Sequence, residues 1–150
     1  MVSAITVANT ILTRAQKDNM NITPMKLQKL TYILYKEYLK RTGRPLFPER
    51  FEVWKYGPVL RNINEAFKEY GTNVIRSLCK DRNGYIYIVN EKTSPIFTEV
   101  LDSVWRKYKM YNGIKLSEMT HKKDTAWYKA AKNNRDLLSD DDILAEESFV

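Results

Sequence analysis

The stretch Phe51 to Val59, reading Phe-Glu-Val-Trp-Lys-Tyr-Gly-Pro-Val, constrains this chain most. Six extended-leaning residues run into Gly57-Pro58. Glycine permits backbone angles that other residues avoid. Proline fixes φ and lacks an N–H, which suits the first turn of a helix. An apolar pattern at helical spacing follows in Leu60, Ile63, Phe67 and Tyr70. The stretch therefore predicts a short strand, a sharp corner at Gly57-Pro58 and a helix running to about Gly71. In a strand, Trp54 and Tyr56 share one face and Phe51 and Val53 the other. Both faces carry large apolar groups, so both are expected to be covered, by the chain itself or by a partner.

At 150 residues the chain is expected to form one domain, residues 1–150, with a real core. Ten tyrosines supply buried area together with polar tips, which suits a core edge or an interface. No apolar run approaches the roughly 18 residues of a membrane span. Met1 to Asn19 lacks a basic start and an apolar centre, so it does not read as a signal peptide. A single Cys79 leaves no internal disulfide framework, and cytoplasmic residence is the simplest expectation. The chain is basic, with a net charge of +7, but unevenly so. Residues 1–132 carry 24 Lys and Arg against 12 acids, whereas residues 133–150 carry one Arg against six acids. A basic body attracts acidic partners, nucleic acid included. The cations are dispersed, however, with no run beyond pairs such as Lys40-Arg41, which is weak support for a phosphate-tracking stripe.

Helices are predicted over residues 3–17 and from Thr23-Pro24 to Thr42, stopping at Gly43. The second has a broad apolar surface through Leu27, Leu30, Ile33, Leu34, Tyr38 and Leu39, as expected of a central helix. Leu46-Phe47, in a proline-bounded loop, is expected to tuck into the core. Tyr85-Ile86-Tyr87-Ile88-Val89 is the best strand by composition, after an Asn83-Gly84 turn. It could pair with Phe51–Tyr56, with Ile75–Lys80, or with both. Further helices start at Ser94-Pro95, around Leu116, at Asp124 or Thr125, and at Ser139 followed by three aspartates. The fold class expected is mainly α (α+β): a compact helical domain with a small antiparallel sheet of two or three strands.

One His and one Cys exclude a zinc site of the usual kind. A catalytic triad would need His121 as its base, and nothing else marks that residue. No glycine-rich phosphate cradle occurs. The chain is expected not to be an enzyme and to need no cofactor or metal, with His121 in a structural, hydrogen-bonded role.

Four segments occur in order: Met25-Lys26-Leu27-Gln28-Lys29-Leu30-Thr31-Tyr32, Gly43-Arg44-Pro45-Leu46-Phe47, Phe51 to Val59, and Leu116-Ser117-Glu118-Met119-Thr120-His121. On these the chain resembles the Panacea-domain family, also described as SocA-like or as phage-associated GepA proteins. The resemblance covers about residues 5–147. Its most specific parts are Trp-x-Tyr-Gly-Pro-Val and Leu-Ser-x-x-Thr-His. One departure is Ala126 before Trp127, where the family tends to have proline. The resemblance implies a mainly helical antitoxin of a bacterial or prophage toxin–antitoxin pair, neutralising a cognate protein toxin by direct binding. A host protease or chaperone is the further partner if the toxin is delivered for degradation. A nucleic-acid-binding phage or prophage regulator is the alternative, resting on the basic body and the tyrosines. Lys26, Lys29, Tyr32, Trp54 and Tyr56 are expected to form part of the partner surface. Gly57, Pro58, Thr120, His121 and Trp127 are expected to be structural motif positions. The acidic segment Asp136–Glu147 is expected to act as the counterpart of the basic body, either lying on it as a helix or competing with an acidic partner for it.

Overall fold

Helix α2, Pro24–Thr42, is the element on which most others pack. The computed structural model describes residues 1–150. Thr23 caps α2 by accepting the Lys26 N–H, Pro24 fills its first position, and Gly43 ends it at a left-handed φ of +72°. Leu27, Leu30, Tyr32, Ile33 and Leu34 are fully or almost fully buried along it. Each buried leucine stabilises by roughly 1.5–3 kcal/mol. Helix α1, Ala4–Lys17, lies against α2. Its first N–H, that of Ala4, meets both carboxylate oxygens of Glu49 at 3.2 Å, a negative charge at the positive helix end. Helices α3 (Arg61–Phe67), α4 (Pro95–Tyr108), α5 (Gly113–Thr120), α6 (Ala126–Lys132) and α7 (Asp140–Ala145) complete the helical body. Asn112, Thr125 and Ser139 cap α5, α6 and α7 with side-chain acceptors. No helix is long and apolar enough to cross a membrane.

The sheet forms where the sequence places it, but with different partners. Strand β1, Glu52–Trp54, pairs antiparallel with β2, Gly57–Val59, through a turn at Lys55-Tyr56. Gly57-Pro58 is thus not the start of a helix, which begins only at Arg61. Pro58 stands opposite Val53, one step from the closing Trp54–Gly57 pair. Paired residues alternate in hydrogen bonding along an antiparallel ladder, so the missing N–H faces away from β1. The outer edge of β1 takes up residues 136–138. The Val53 N–H donates to the Asp136 carbonyl at 3.0 Å, and the Leu138 N–H donates to that of Phe51 at 2.9 Å.

Tyr85–Val89 is not a strand of this sheet, which corrects the pairing expected for it. Its inward backbone groups are taken by side chains of α1. The Asn9 amide donates to the carbonyls of Cys79 and Tyr87, and the Val89 N–H donates to the Thr10 hydroxyl.

Phe47 and Phe51 are buried, and Leu46 nearly so. Phe51 meets Tyr32 edge-on at 5.0 Å and 89°, and Tyr35 at 5.3 Å. The acidic C-terminal segment does lie on the body, through specific buried contacts. Glu146 accepts from the Tyr32 hydroxyl at 2.6 Å, Lys36 Nζ at 3.2 Å and the Ala126 N–H at 3.0 Å. Lys36 Nζ also donates to the Glu147 carbonyl and sits 3.3 Å from the centre of the Phe149 ring. Burial lowers the Lys36 pKa, and Glu146 opposes that shift.

Candidate partner-binding site

The β1–β2 hairpin is held by four side-chain donors from three helices, α2, α5 and α6. The Trp127 indole N–H donates to the Trp54 carbonyl at 2.8 Å, and the Ser117 hydroxyl to that of Tyr56 at 2.5 Å. Lys29 Nζ donates to the Pro58 carbonyl at 2.9 Å, and the Gln28 amide to that of Leu60 at 2.9 Å. The Gln28 side-chain oxygen accepts the Leu60 N–H in return, at 3.0 Å. The acceptors fall at alternate positions, 54, 56, 58 and 60. The chain reverses at Lys55-Tyr56, so these carbonyls lie at the end of β1, in the turn, on β2 and just after it, and donors from α2, α5 and α6 are needed to reach them all.

The supports are themselves fixed. His121 Nδ1 lies 2.5 Å from the Ser117 carbonyl. A carbonyl only accepts, so Nδ1 carries the proton. The imidazole meets the Trp127 ring at 5.3 Å and 66°. Thr120 donates back to the carbonyls of Leu116 and Ser117 within α5. Gly57 has φ +118°. A Cβ there would lie 2.9 Å from Thr120 Oγ1 and 3.3 Å from Lys29 Nζ. Glycine is therefore required twice, by its backbone angle and by the close approach of α2 and α5. Gly57, Pro58, Thr120, His121 and Trp127 converge on this one hairpin.

The clamp leaves the tip of the hairpin open. Tyr56 is 55% exposed, Lys55 is exposed and leans toward the Tyr56 ring at 5.4 Å, and Trp54 is half-buried. The Trp54 indole N–H donates to Glu52 at 3.0 Å. Arg61 grips the same carboxylate at 3.0 and 2.7 Å and stacks 5.6 Å from the indole. Arg61, with Trp54 second, holds the Glu52 carboxyl below its usual range. Between hairpin and α2 lies a cavity of about 350 Å³, lined by Met25, Lys29, Trp54, Tyr56, Val59 and Ile63 among others.

Of the five residues expected at a partner surface, Lys29, Trp54 and Tyr56 surround this cavity and Lys26 and Tyr32 do not. The share of the partner surface expected from the start of α2 is corrected, because Lys26, Lys29 and Tyr32 are all buried. Lys26 Nζ donates to the Lys109 carbonyl, and Tyr32 serves Glu146. Lys29 is 2% exposed, with one carbonyl partner and no carboxylate. Burial pushes its pKa down to about 7.

Residues 27–128 match the family described as "Antitoxin SocA-like, Panacea domain". The chain belongs to that family. All four hairpin donors and the hairpin lie inside the matched stretch of the Panacea domain; Glu146 lies outside it. Antitoxin SocA of Caulobacter vibrioides (strain NA1000 / CB15N) is 36% identical over 90 residues, which cover 59% of this chain and 48% of that protein. The aligned stretch thus spans about half the length of that relative. No solved structure matches. Within the Panacea domain, Gln28 and Ser117 are the site residues that sequence reasoning did not single out. Both sit in the motif segments, and Ser117 stands one helical turn before His121, the spacing that brings the two together.

Proposed function

We propose that this chain is an antitoxin that neutralises a cognate protein toxin by direct contact, with the Trp54–Tyr56 hairpin and its adjoining cavity in the contact surface. The single observation that carries the reading is the four-point clamp on carbonyls 54, 56, 58 and 60. It fixes an exposed aromatic tip before any partner arrives, so little ordering cost remains at binding. Tyrosine and tryptophan bring large faces with one polar group each, which suits a binding hot spot. The family membership and the antitoxin relative supply the functional class.

The test is co-expression with the gene adjoining this one. Growth should fail with the neighbour alone and recover with this chain, and the two proteins should co-purify. Tyr56→Ala should weaken binding by about 2 kcal/mol or more while leaving thermal unfolding of the free chain nearly unchanged. Recovery of growth without any physical complex would remove direct neutralisation. Normal binding by a folded Tyr56→Ala variant would move the surface away from the hairpin.

A further inference from the structure

The segment Tyr85–Val89 carries a second binding feature, separate from the hairpin. Four consecutive apolar residues are exposed here: Tyr85 62%, Ile86 44%, Tyr87 55% and Ile88 49%. Tyr87 and Val89 turn backbone groups toward α1, and Tyr85 is tied into the turn that precedes it. The Tyr85 carbonyl accepts the Asp81 N–H, the Tyr87 carbonyl accepts from Asn9, and the Val89 N–H donates to Thr10. The N–H and C=O of Ile86 and Ile88 make no hydrogen bond within the chain. The rings of Tyr85 and Tyr87 lie 6.5 Å apart, as expected for side chains on one face of an extended run. β-Formers with one backbone edge satisfied and the other open are an unpaired strand edge.

The charges around the edge say what would cover it. Arg76, Lys80, Arg82 and Lys92 are exposed, and none makes an ion pair. Acids are fewer: Asp81 caps the turn by accepting the N–H groups of Asn83 and Tyr85, Glu91 pairs with Arg14 at 2.9 Å, and Glu69 alone shares an open hollow with Ile86, Arg76 and Lys80. A second copy suits the edge poorly, because it would bring a second set of the same unpaired cations, Arg76, Lys80, Arg82 and Lys92, to the edge.

We infer that Ile86 and Ile88 receive an extended, acidic segment of a partner protein as an added β-strand. The main chain of the guest pairs with the two open residues, and its carboxylates meet Arg82 and Lys92. The inference rests on the antitoxin reading only if the toxin supplies that strand; the edge stands on its own geometry.

The probe is a short, end-blocked peptide with an alternating threonine–valine centre and glutamates at both ends, added to the full chain. Amide exchange at Ile86 and Ile88 should slow by about tenfold or more, with little change elsewhere. The same peptide ending in lysines should protect weakly. Ile86→Pro removes an N–H that the free chain does not use, so it should fold normally and lose the protection. Arg82→Glu with Lys92→Glu should reverse the preference between the two peptides. No protection by the acidic peptide, equal protection by the lysine peptide, or protection that grows with protein concentration alone would each overturn the inference. Growth rescue by Ile86→Pro separates the two proposals. Rescue with the edge abolished leaves the antitoxin reading intact and assigns the edge to another protein. Peptide protection without any rescue by the unaltered chain sinks the antitoxin reading alone.

Discussion

Lys29 is a cation folded into a place where a cation is unwelcome. It projects from α2 toward the hairpin, 2% exposed, and its amine reaches one carbonyl and no acid. Burial disfavours the charged form, so the folded chain holds this proton less tightly than the unfolded chain does. Between about pH 7 and the ordinary lysine value of 10.5, the unfolded state is protonated and the folded state is not. Stability from this group therefore rises with pH across that window, by up to about 1.4 kcal/mol per pH unit. Below the folded value both states are protonated, and the full penalty of the buried charge remains. Lys29→Met keeps the stem and removes the proton. Chemical unfolding of both proteins from pH 6.5 to 10 should show the difference between them changing with pH. Parallel curves would mean that water reaches the amine. Gly57 is tested at the same scale. Gly57→Ala must hold φ +118° and push against Thr120, so a loss of about 1–3 kcal/mol is expected in equilibrium unfolding.

At the scale of elements, the hairpin depends on side chains from α2, α5 and α6. Ser117→Ala and Trp127→Phe each remove one donor to a hairpin carbonyl and should cost about 1 kcal/mol apiece. Amide exchange in residues 54–60 should accelerate more than in α1 if the clamp is local; uniform acceleration would mean that hairpin and body open together. The helices were legible because their signals are local. Thr23-Pro24, Thr125 and Ser139 start helices where capping chemistry says they should, and Gly43 stops one. Strand pairing was less legible because it is settled by distant partners. Tyr85–Val89 has the composition of a strand, but Asn9 and Thr10 occupy one of its edges. Pro58 looked like a helix start because proline fits both a first turn and an outward-facing ladder position. In the site, Trp54 and Tyr56 could be found from their aromatic character. The burial of Lys26 and Lys29 could not, because lysines are almost always solvated and only the approach of α5 and the hairpin encloses these two.

At the scale of the whole molecule, residues 136–149 close the structure. They add to the free edge of β1, and they seat one carboxylate, Glu146, in the interior 110 residues from its lysine partner. Net charge shows that an acidic tail suits a basic body, but it does not show which acid goes in. Glu146 is 3% exposed and serves three donors on two helices, the Tyr32 hydroxyl, Lys36 Nζ and the Ala126 N–H. A surface counterpart would be screened by salt, whereas this pair is shielded from it. Removing one member of a buried pair strands the other, at roughly 3–5 kcal/mol. Glu146→Ala and Lys36→Met should each show a loss of that order, little affected by salt. The paired change Lys36→Met with Glu146→Gln should lose less than the sum of its parts, because no buried charge remains and the amide can still accept from Tyr32 or Ala126. The check is a double-mutant cycle in denaturant at low and high salt. Additive losses that shrink as salt rises would mark the contact as a surface pair, and the C-terminal segment would then be an accessory to the fold instead of its closure.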